Sequence, residues 1–574
     1  MRKPLSTFLI AGLFLATWPV LAGSFEPVRA RHGMVASVSE IASRIGVDVM
    51  RKGGNAVDAA VAVGFALAVV WPEAGNLGGG GFLLMRKTDG TTEAIDYRER
   101  APLAATRTMY LDVSGNVIPK ASTQGYRAVA VPGTVAGLAL AHKRHGKLKW
   151  SQLIAPARRL AAEGFLVSYA LQRSLASTEG KRMASFEESH RIYLRGGRAY
   201  VMGDRFTQPE LAATLARLQA DPQDFYRGLT AKRIVADMKA HGGTLTMRDL
   251  EDYQPTVRQP LRGTYRGLEI ITMPPPSSGG IALLEMLSML EPYDLKAMGW
   301  HSVAEVHTMV EVMRRAFADR ASFLGDTDFV KVPVSGLTSK AYAGERRKDI
   351  RSDRASTSKE VGAGNPTAYE SPQTTHFTIV DGAGNVVTNT YTLNDTFGSG
   401  VTIKGTGVLM NDEMDDFTSK PGVPNLYGLI QGEANAIAPH KRPLSSMTPT
   451  IVVRDGKFWF ATGSPGGSTI INTVLQIITN VVDFGMNIRD AVEAPRFHHQ
   501  WQPDKIAWET MEFSAETWSA LEAMGHIFAA DPGLLLSHKP DTPNIGDAHA
   551  VMVDERGILL GASDPRRGGM AVGW

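Results

Sequence analysis

The run Gln373-Thr374-Thr375-His376-Phe377 holds the residues of this chain best suited to chemistry. It follows a polar stretch, Arg351 to Tyr369, rich in Ser, Lys, Gly and Ala, and it opens a hydrophobic hairpin. A threonine at such a seam is well placed to become a new N-terminus. Its hydroxyl is a weak nucleophile, but a free α-amine on the same residue supplies a general base. The expectation is a chain that cuts itself between Gln373 and Thr374 and then uses Thr374 as an N-terminal nucleophile.

The hairpin is expected to turn at Asp381-Gly382-Ala383-Gly384. With Ala383 at its centre, antiparallel pairing joins positions whose numbers sum to 766. Thr374 then faces Thr392, with Cβ atoms about 4.5–5.5 Å apart, close enough for two hydroxyls to hydrogen-bond. Asn394 is expected on the same face, because side chains alternate along a strand. The plain alternative is that Thr390-Tyr391-Thr392 is simply good strand sequence.

Between a strand and a helix lies Thr462-Gly463-Ser464-Pro465-Gly466-Gly467-Ser468. Glycines at a helix start let backbone N–H groups face an anion. A phosphate loop would need a lysine that is absent here. An oxyanion hole formed by the N–H groups of Gly466 and Gly467 remains, beside the alternative of a tight turn. Gly78 to Gly81 reads as close backbone packing.

Asp412, Glu413, Asp415 and Asp416 form an acidic cluster without the alternation of a calcium loop. It is either a solvated face or a site for an ammonium. Arg98 could clamp a carboxylate bidentately, or lie on the surface beside Glu99 and Arg100. Ser445 and Ser446 could donate hydroxyls or form a turn. The adjacent His498 and His499 diverge and lack metal spacing, so they read as structural. No metal and no cofactor are expected.

Stepping out from these residues, the elements around them are legible. An apolar helix spans 55–71, broken by Asp58, and a hairpin pairs 82–86 with 93–98. Long helices are expected near 152–163, 208–220 and 301–323. A second hairpin turns at Asp455-Gly456 between 450–453 and 458–462, and a buried helix follows over 468–482. Hairpins flanked by buried helices suggest stacked α and β layers.

The 574 residues, 43% of them hydrophobic, allow a large core. With 61 basic and 58 acidic residues the net charge is +3, which gives no reason to invoke nucleic acid or an anionic membrane. The absence of cysteine excludes disulfides and thiolate chemistry. Residues 1–22 read as an export signal: Arg2 and Lys3, then an apolar stretch, then Val20-Leu21-Ala22. A periplasmic or secreted protein, free of the membrane after signal removal, is expected.

Taken together, the stretches GGNAVDAAVAVGFALAVVWPEAGNLGGGGF, VPGTVAGL, MPPPSSGG, QTTHFTIVD, TYTLNDTFGSG, MDDFTSKPGVPNLYGL, KRPLSSMTPTIV, GSPGGS and PRFHHQW resemble the γ-glutamyltransferases, from Gly54 to Arg566. The resemblance implies an α+β fold, a four-layer αββα sandwich of the N-terminal-nucleophile hydrolase type. Two subunits cut from one precursor would form it jointly: a large one, 23–373, with 351–373 as a mobile tail, and a small catalytic one, 374–574. It implies Thr374 as nucleophile with Gln373 on the scissile side, and Thr392 as the threonine that bonds it. Arg98, Ser445 and Ser446 would hold the substrate α-carboxylate, and Asn394, Glu413 and Asp416 its α-amine. Gly466 and Gly467 would form the oxyanion hole. Tyr427, within 421–432, would belong to a lid that some relatives active on cephalosporin side chains lack. Position 413 is Glu where the family accepts Gln or Glu. The implied partners are γ-glutamyl donors such as glutathione and its conjugates, and amino-acid or peptide acceptors.

Overall fold

The computed structural model describes residues 24–366, 376–510, 513–530 and 544–574. The export signal expected at 1–22 and the residues expected to be cut and to act as nucleophile, Gln373 and Thr374, lie outside them.

Fourteen strands build two sheets. In chain order they are β1 (Val28–Ala30), β2 (Met34–Ser37), β3 (Gly80–Arg86), β4 (Thr92–Tyr97), β5 (Thr256–Arg258), β6 (Leu261–Tyr265), β7 (Leu268–Thr272), β8 (Phe377–Val380), β9 (Val386–Thr392), β10 (Thr450–Arg454), β11 (Lys457–Gly463), β12 (His549–Val553), β13 (Leu559–Ser563) and β14 (Met570–Gly573). One sheet runs β1-β13-β12-β11-β10-β7-β6, the other β14-β2-β8-β9-β3-β4-β5. Every pairing in them is antiparallel. Strands from both sides of the expected Gln373–Thr374 junction contribute to each sheet.

Alternation of side chains builds the layers. Phe82 and Leu84 face the other sheet, in a core with Ile271, Ile451, Val453 and Ala461. Leu83 and Met85 point the opposite way, into a core with the helices α1 (Glu40–Arg51) and α2 (Ala56–Val70). On the first sheet, Ile270, Val452 and Phe460 point away from that shared interior toward α3 (Ser278–Leu290), α4 (Val303–Phe323) and α5 (Thr469–Val482). Both faces of both sheets are therefore buried, and the order of layers is αββα. This is the expected architecture.

The helix expected over 55–71 is α2. Asp58, read as a break in its apolar run, is instead its start signal. Asn55 accepts from the Asp58 N–H and the Asp58 carboxylate accepts from the Asn55 N–H, each at 3.0 Å, a reciprocal cap. Asp58 also takes the Lys147 N–H at 3.0 Å, which accounts for its complete burial.

The stretch expected to have little to bury is corrected over Arg351–Gly364. Ala355, Ser358 and Val361 are buried. The N–H groups of Ser356, Ser358 and Gly364 donate to Glu311 at 2.9 Å, Asp504 at 2.6 Å and Asp319 at 2.6 Å. Trp501 Nε1 donates to the Val361 carbonyl at 2.7 Å. Backbone groups answered by carboxylates, two of them fully buried, and an indole fix this segment without any apolar period. Among the described residues no helix is long and apolar enough to cross a membrane.

Candidate active site

The β8–β9 hairpin pairs Phe377 with Asn389 and Val380 with Val386, the register expected from the turn. The neighbouring strand β3 approaches β9 so closely that a Cβ on Gly79 would lie 1.9 Å from the Thr392 carbonyl oxygen, and one on Gly81 would lie 2.4 Å from that of Thr390. Asn76 Nδ2 holds the same Thr392 oxygen at 2.9 Å. Glycines at 78–81 thus serve close packing, as expected, and they fix where Thr392 stands. The Thr392 hydroxyl oxygen accepts from the Asn394 N–H at 2.8 Å.

Strand alternation does not carry Asn394 to its place. β9 ends at Thr392, and Asn394 has a φ of 79°, a left-handed turn that small polar residues tolerate. Its side chain donates to the Asp412 carbonyl at 3.1 Å.

The acidic cluster is no solvated face. Asp412, Glu413, Asp415 and Asp416 are all buried, in and just before a single 3₁₀ turn, Glu413–Asp416. Arg98, which follows β4, is fully buried too. Its Nη1 pairs with Glu413 and its Nη2 with Asp416 at 2.6 Å, while Nη2 and Nε also reach the carbonyls of Leu444, at 3.2 Å, and Pro443, at 3.3 Å. The expectation of separate opposite subsites is corrected: in this structure Arg98 sits directly on the two acids. A guanidinium this deep needs counter-charges, and these are the nearest.

Glu99 lies 3.5 Å from Arg98 and is also fully buried. Burial pushes Glu99 up to about 7, and it pushes Glu413 well above the usual carboxylate range despite Arg98. Burial opposes the charge on Arg98, but Glu413, Glu99 and Asp416 outweigh it and raise its pKa.

Several buried groups here lack hydrogen-bond partners among the described residues. They are donors on one side, Ser446 Oγ and Arg320 Nη1, and acceptors on the other, both Glu99 oxygens and Glu413 Oε2. Orphaned donors beside orphaned acceptors suit a ligand that carries both a carboxylate and an ammonium. Ser445 presents its carbonyl oxygen to Ser278 Oγ at 2.8 Å and bridges to Ser277, so the Ser445–Ser446 segment is anchored at the start of α3. Glu99, Arg320 and Ser278 escaped the sequence reading. Glu99 had been set aside as surface, although its place beside Arg98 was the available signal.

Between β11 and α5, Gly466 and Gly467 take φ values of 133° and 57°. Among the described residues neither N–H has a hydrogen-bond acceptor. Tyr427 covers this loop: a Cβ on Gly467 would lie 2.6 Å from its ring. Contacts near Tyr427 help hold the 421–432 loop in place. Tyr427 Oη donates to the Asn394 carbonyl at 2.7 Å, the Leu426 N–H donates to Asp415 at 2.9 Å, and Gln500 Nε2 donates to the Tyr427 carbonyl at 3.0 Å. Gln500 also accepts from Ser468 at 2.6 Å, so it joins lid and glycine loop. His498 bonds Gln500 and Asn472, whereas His499 turns to Asp504. They diverge as expected, and burial pushes them down to about 3 and about 4.

Two antiparallel sheets face to face between helical layers, with a strand-to-helix glycine loop whose N–H groups are free among the described residues, are the architecture of the N-terminal-nucleophile hydrolase class. Within that class the chain belongs to the gamma-glutamyltranspeptidase family, whose profile matches residues 42–574. It is 48% identical over 543 residues to the glutathione hydrolase proenzyme of Escherichia coli (strain K12), covering 94% of this chain and 92% of that one. Among solved structures it is similar to a cephalosporin acylase from Bacillus halodurans (TM-score 0.84, 27% identity, 98% of this chain and 99% of that one). It is also similar to the Helicobacter pylori gamma-glutamyltranspeptidase (TM-score 0.56, 44% identity, 57% of this chain and 94% of that one).

Proposed function

We propose that this chain is the precursor of a γ-glutamyltransferase and glutathione hydrolase. The observation that carries the reading is the buried set of Arg98, Glu413, Asp416 and Ser446, where a free donor, Ser446 Oγ, and a free acceptor, Glu413 Oε2, accompany the ion pairs and suit the zwitterionic head of a γ-glutamyl group.

In the precursor, the Thr374 hydroxyl attacks the carbonyl carbon of Gln373. The acyl group shifts from nitrogen to oxygen, and water hydrolyses the ester. This frees a large subunit, 23–373, and a small one, 374–574. The observed β8–β9 register, with Phe377 opposite Asn389, supports the expected opposition of Thr374 and Thr392. The new α-amine, with a pKa of about 7.7–8.0, serves as base near neutral pH.

In the mature enzyme Thr374 attacks the γ-carbonyl, and the N–H groups of Gly466 and Gly467 receive the oxyanion. The departing amine takes a proton, and a γ-glutamyl ester remains on Thr374. Water releases glutamate, or an amino acid or peptide accepts the γ-glutamyl group. Ser445 and Ser446 face the α-carboxylate, joined by Arg98 as it shifts from its acids, and Asn394, Glu413 and Asp416 take the ammonium. The signal at 1–22 directs the protein to the periplasm or the exterior.

Two measurements test the reading. Mass spectrometry of purified protein is expected to find an N-terminus at Thr374, and Thr374→Ala is expected to leave an uncut, inactive chain. A chromogenic γ-glutamyl amide is expected to be cleaved far faster than glutaryl-cephalosporin. The reverse order would assign the chain to the acylases instead.

A further inference from the structure

Arg320, on α4, is a buried cation that the proposed mechanism leaves unused. It is only 2% exposed, and among the described residues it forms no ion pair. Its Nε donates to Ser278 Oγ at 2.9 Å, and Ser278 Oγ donates in turn to the Ser445 carbonyl at 2.8 Å. The Ser278 N–H reaches the same carbonyl at 3.2 Å. Nη1 has no partner. Burial pushes this guanidinium down to about 10, with Asp416 the charge that opposes the fall. A cation desolvated to this degree without a paired anion is costly. The cost has a use if an anion arrives during function.

We propose that Arg320 is a positioning residue for the substrate's α-carboxylate: acting through Ser278, it fixes the Ser445–Ser446 segment and places a positive charge behind it. The inference rests on the γ-glutamyl reading of this site. Arg98 is already occupied by Glu413 and Asp416, and the arriving carboxylate must compete with them. A second cation behind the two serines favours the carboxylate in that exchange. It also offsets part of the pocket's negative charge, since Arg98 alone faces Glu99, Glu413 and Asp416.

The test compares two chromogenic donors, γ-glutamyl p-nitroanilide and 4-aminobutanoyl p-nitroanilide, which keeps the amine and lacks the carboxylate. Arg320→Gln is expected to raise KM for the first about tenfold to hundredfold, the scale of a hydrogen bond to a charged group. Its kcat is expected to stay within threefold, with little change in KM for the second donor. Arg320→Lys is expected to recover part of the loss. Ser278→Ala, which keeps the cation and removes only the relay, is expected to raise KM for the first donor about three- to tenfold. It decides the matter if the Arg320 variants do not fold. Equal losses on both donors, or a fall in kcat at unchanged KM, overturn the proposal. A wild-type enzyme that does not distinguish the two donors instead overturns the γ-glutamyl reading itself.

Discussion

The hydroxyl of Tyr427 donates to the carbonyl oxygen of Asn394 at 2.7 Å, and this bond lays the phenol ring over Gly467. A residue that closes the site from above is thus latched to one that lines it from the side. Tyr427→Phe keeps the ring and loses the latch. A hydrogen bond of this kind contributes about 0.5–1.5 kcal/mol, a few-fold to tenfold in lid closure. Water should then compete better for the acyl-enzyme, because closed lids exclude it. The ratio of glutamate to transfer product, read by chromatography with a dipeptide acceptor, is expected to rise. An unchanged ratio together with an unchanged KM would dismiss the latch.

Gly467→Ala meets two obstacles. The position has a φ of 57°, which disfavours side chains by roughly 1–2 kcal/mol, and the new Cβ would strike the Tyr427 ring. Displacing one oxyanion donor typically costs roughly 10²–10³ in turnover. Steady-state kinetics should show kcat falling by about that factor. A loss confined to KM would argue that this loop binds substrate without stabilising the transition state.

Arg98→Lys retains the charge and removes the fork. A single ammonium cannot meet Glu413, Asp416 and the carbonyls of Pro443 and Leu444 together. KM for a γ-glutamyl anilide is expected to rise by more than about tenfold, the scale of a lost charged hydrogen bond. Gel analysis should still show two processed subunits. An uncut precursor would show that Arg98 is needed to assemble the cleavage site.

Glu305, on α4, is 2% exposed, and burial pushes it up to about 8. Its folded pKa lies above its unfolded one, so ionisation penalises the folded state. The penalty is absent below about pH 4.5, grows by at most roughly 1.4 kcal/mol per pH unit, and levels off above about pH 8. Glu305→Gln carries no such penalty. Calorimetry should find the variant's advantage in Tm larger at pH 8 than at pH 5. An equal difference at both would contradict the assignment.

Much of this architecture was readable because local and tertiary signals agree. Asp381-Gly382-Ala383-Gly384 set the hairpin register, and apolar runs set α2 and α5. What stayed hidden depends on contacts distant in sequence. Arg98 and the cluster at 412–416 read as surface because their burial is made possible only by their meeting, some 315 residues apart. Asn394 left the strand pattern because a left-handed residue follows the last ladder pair. The docking of 351–364 is made of backbone bonds to Glu311, Asp319 and Asp504, which no periodicity records.

The sharing of both sheets by strands from the two sides of the expected Gln373–Thr374 junction has a further outcome. β8 and β9 lie between β2 and β3, and β2 lies between β14 and β8. Cutting the chain therefore yields two polypeptides and no new folding unit. Neither fragment can leave without stripping both sheets, so denaturant should melt the pair in one transition, and dissociation at neutral pH should be indistinguishable from unfolding.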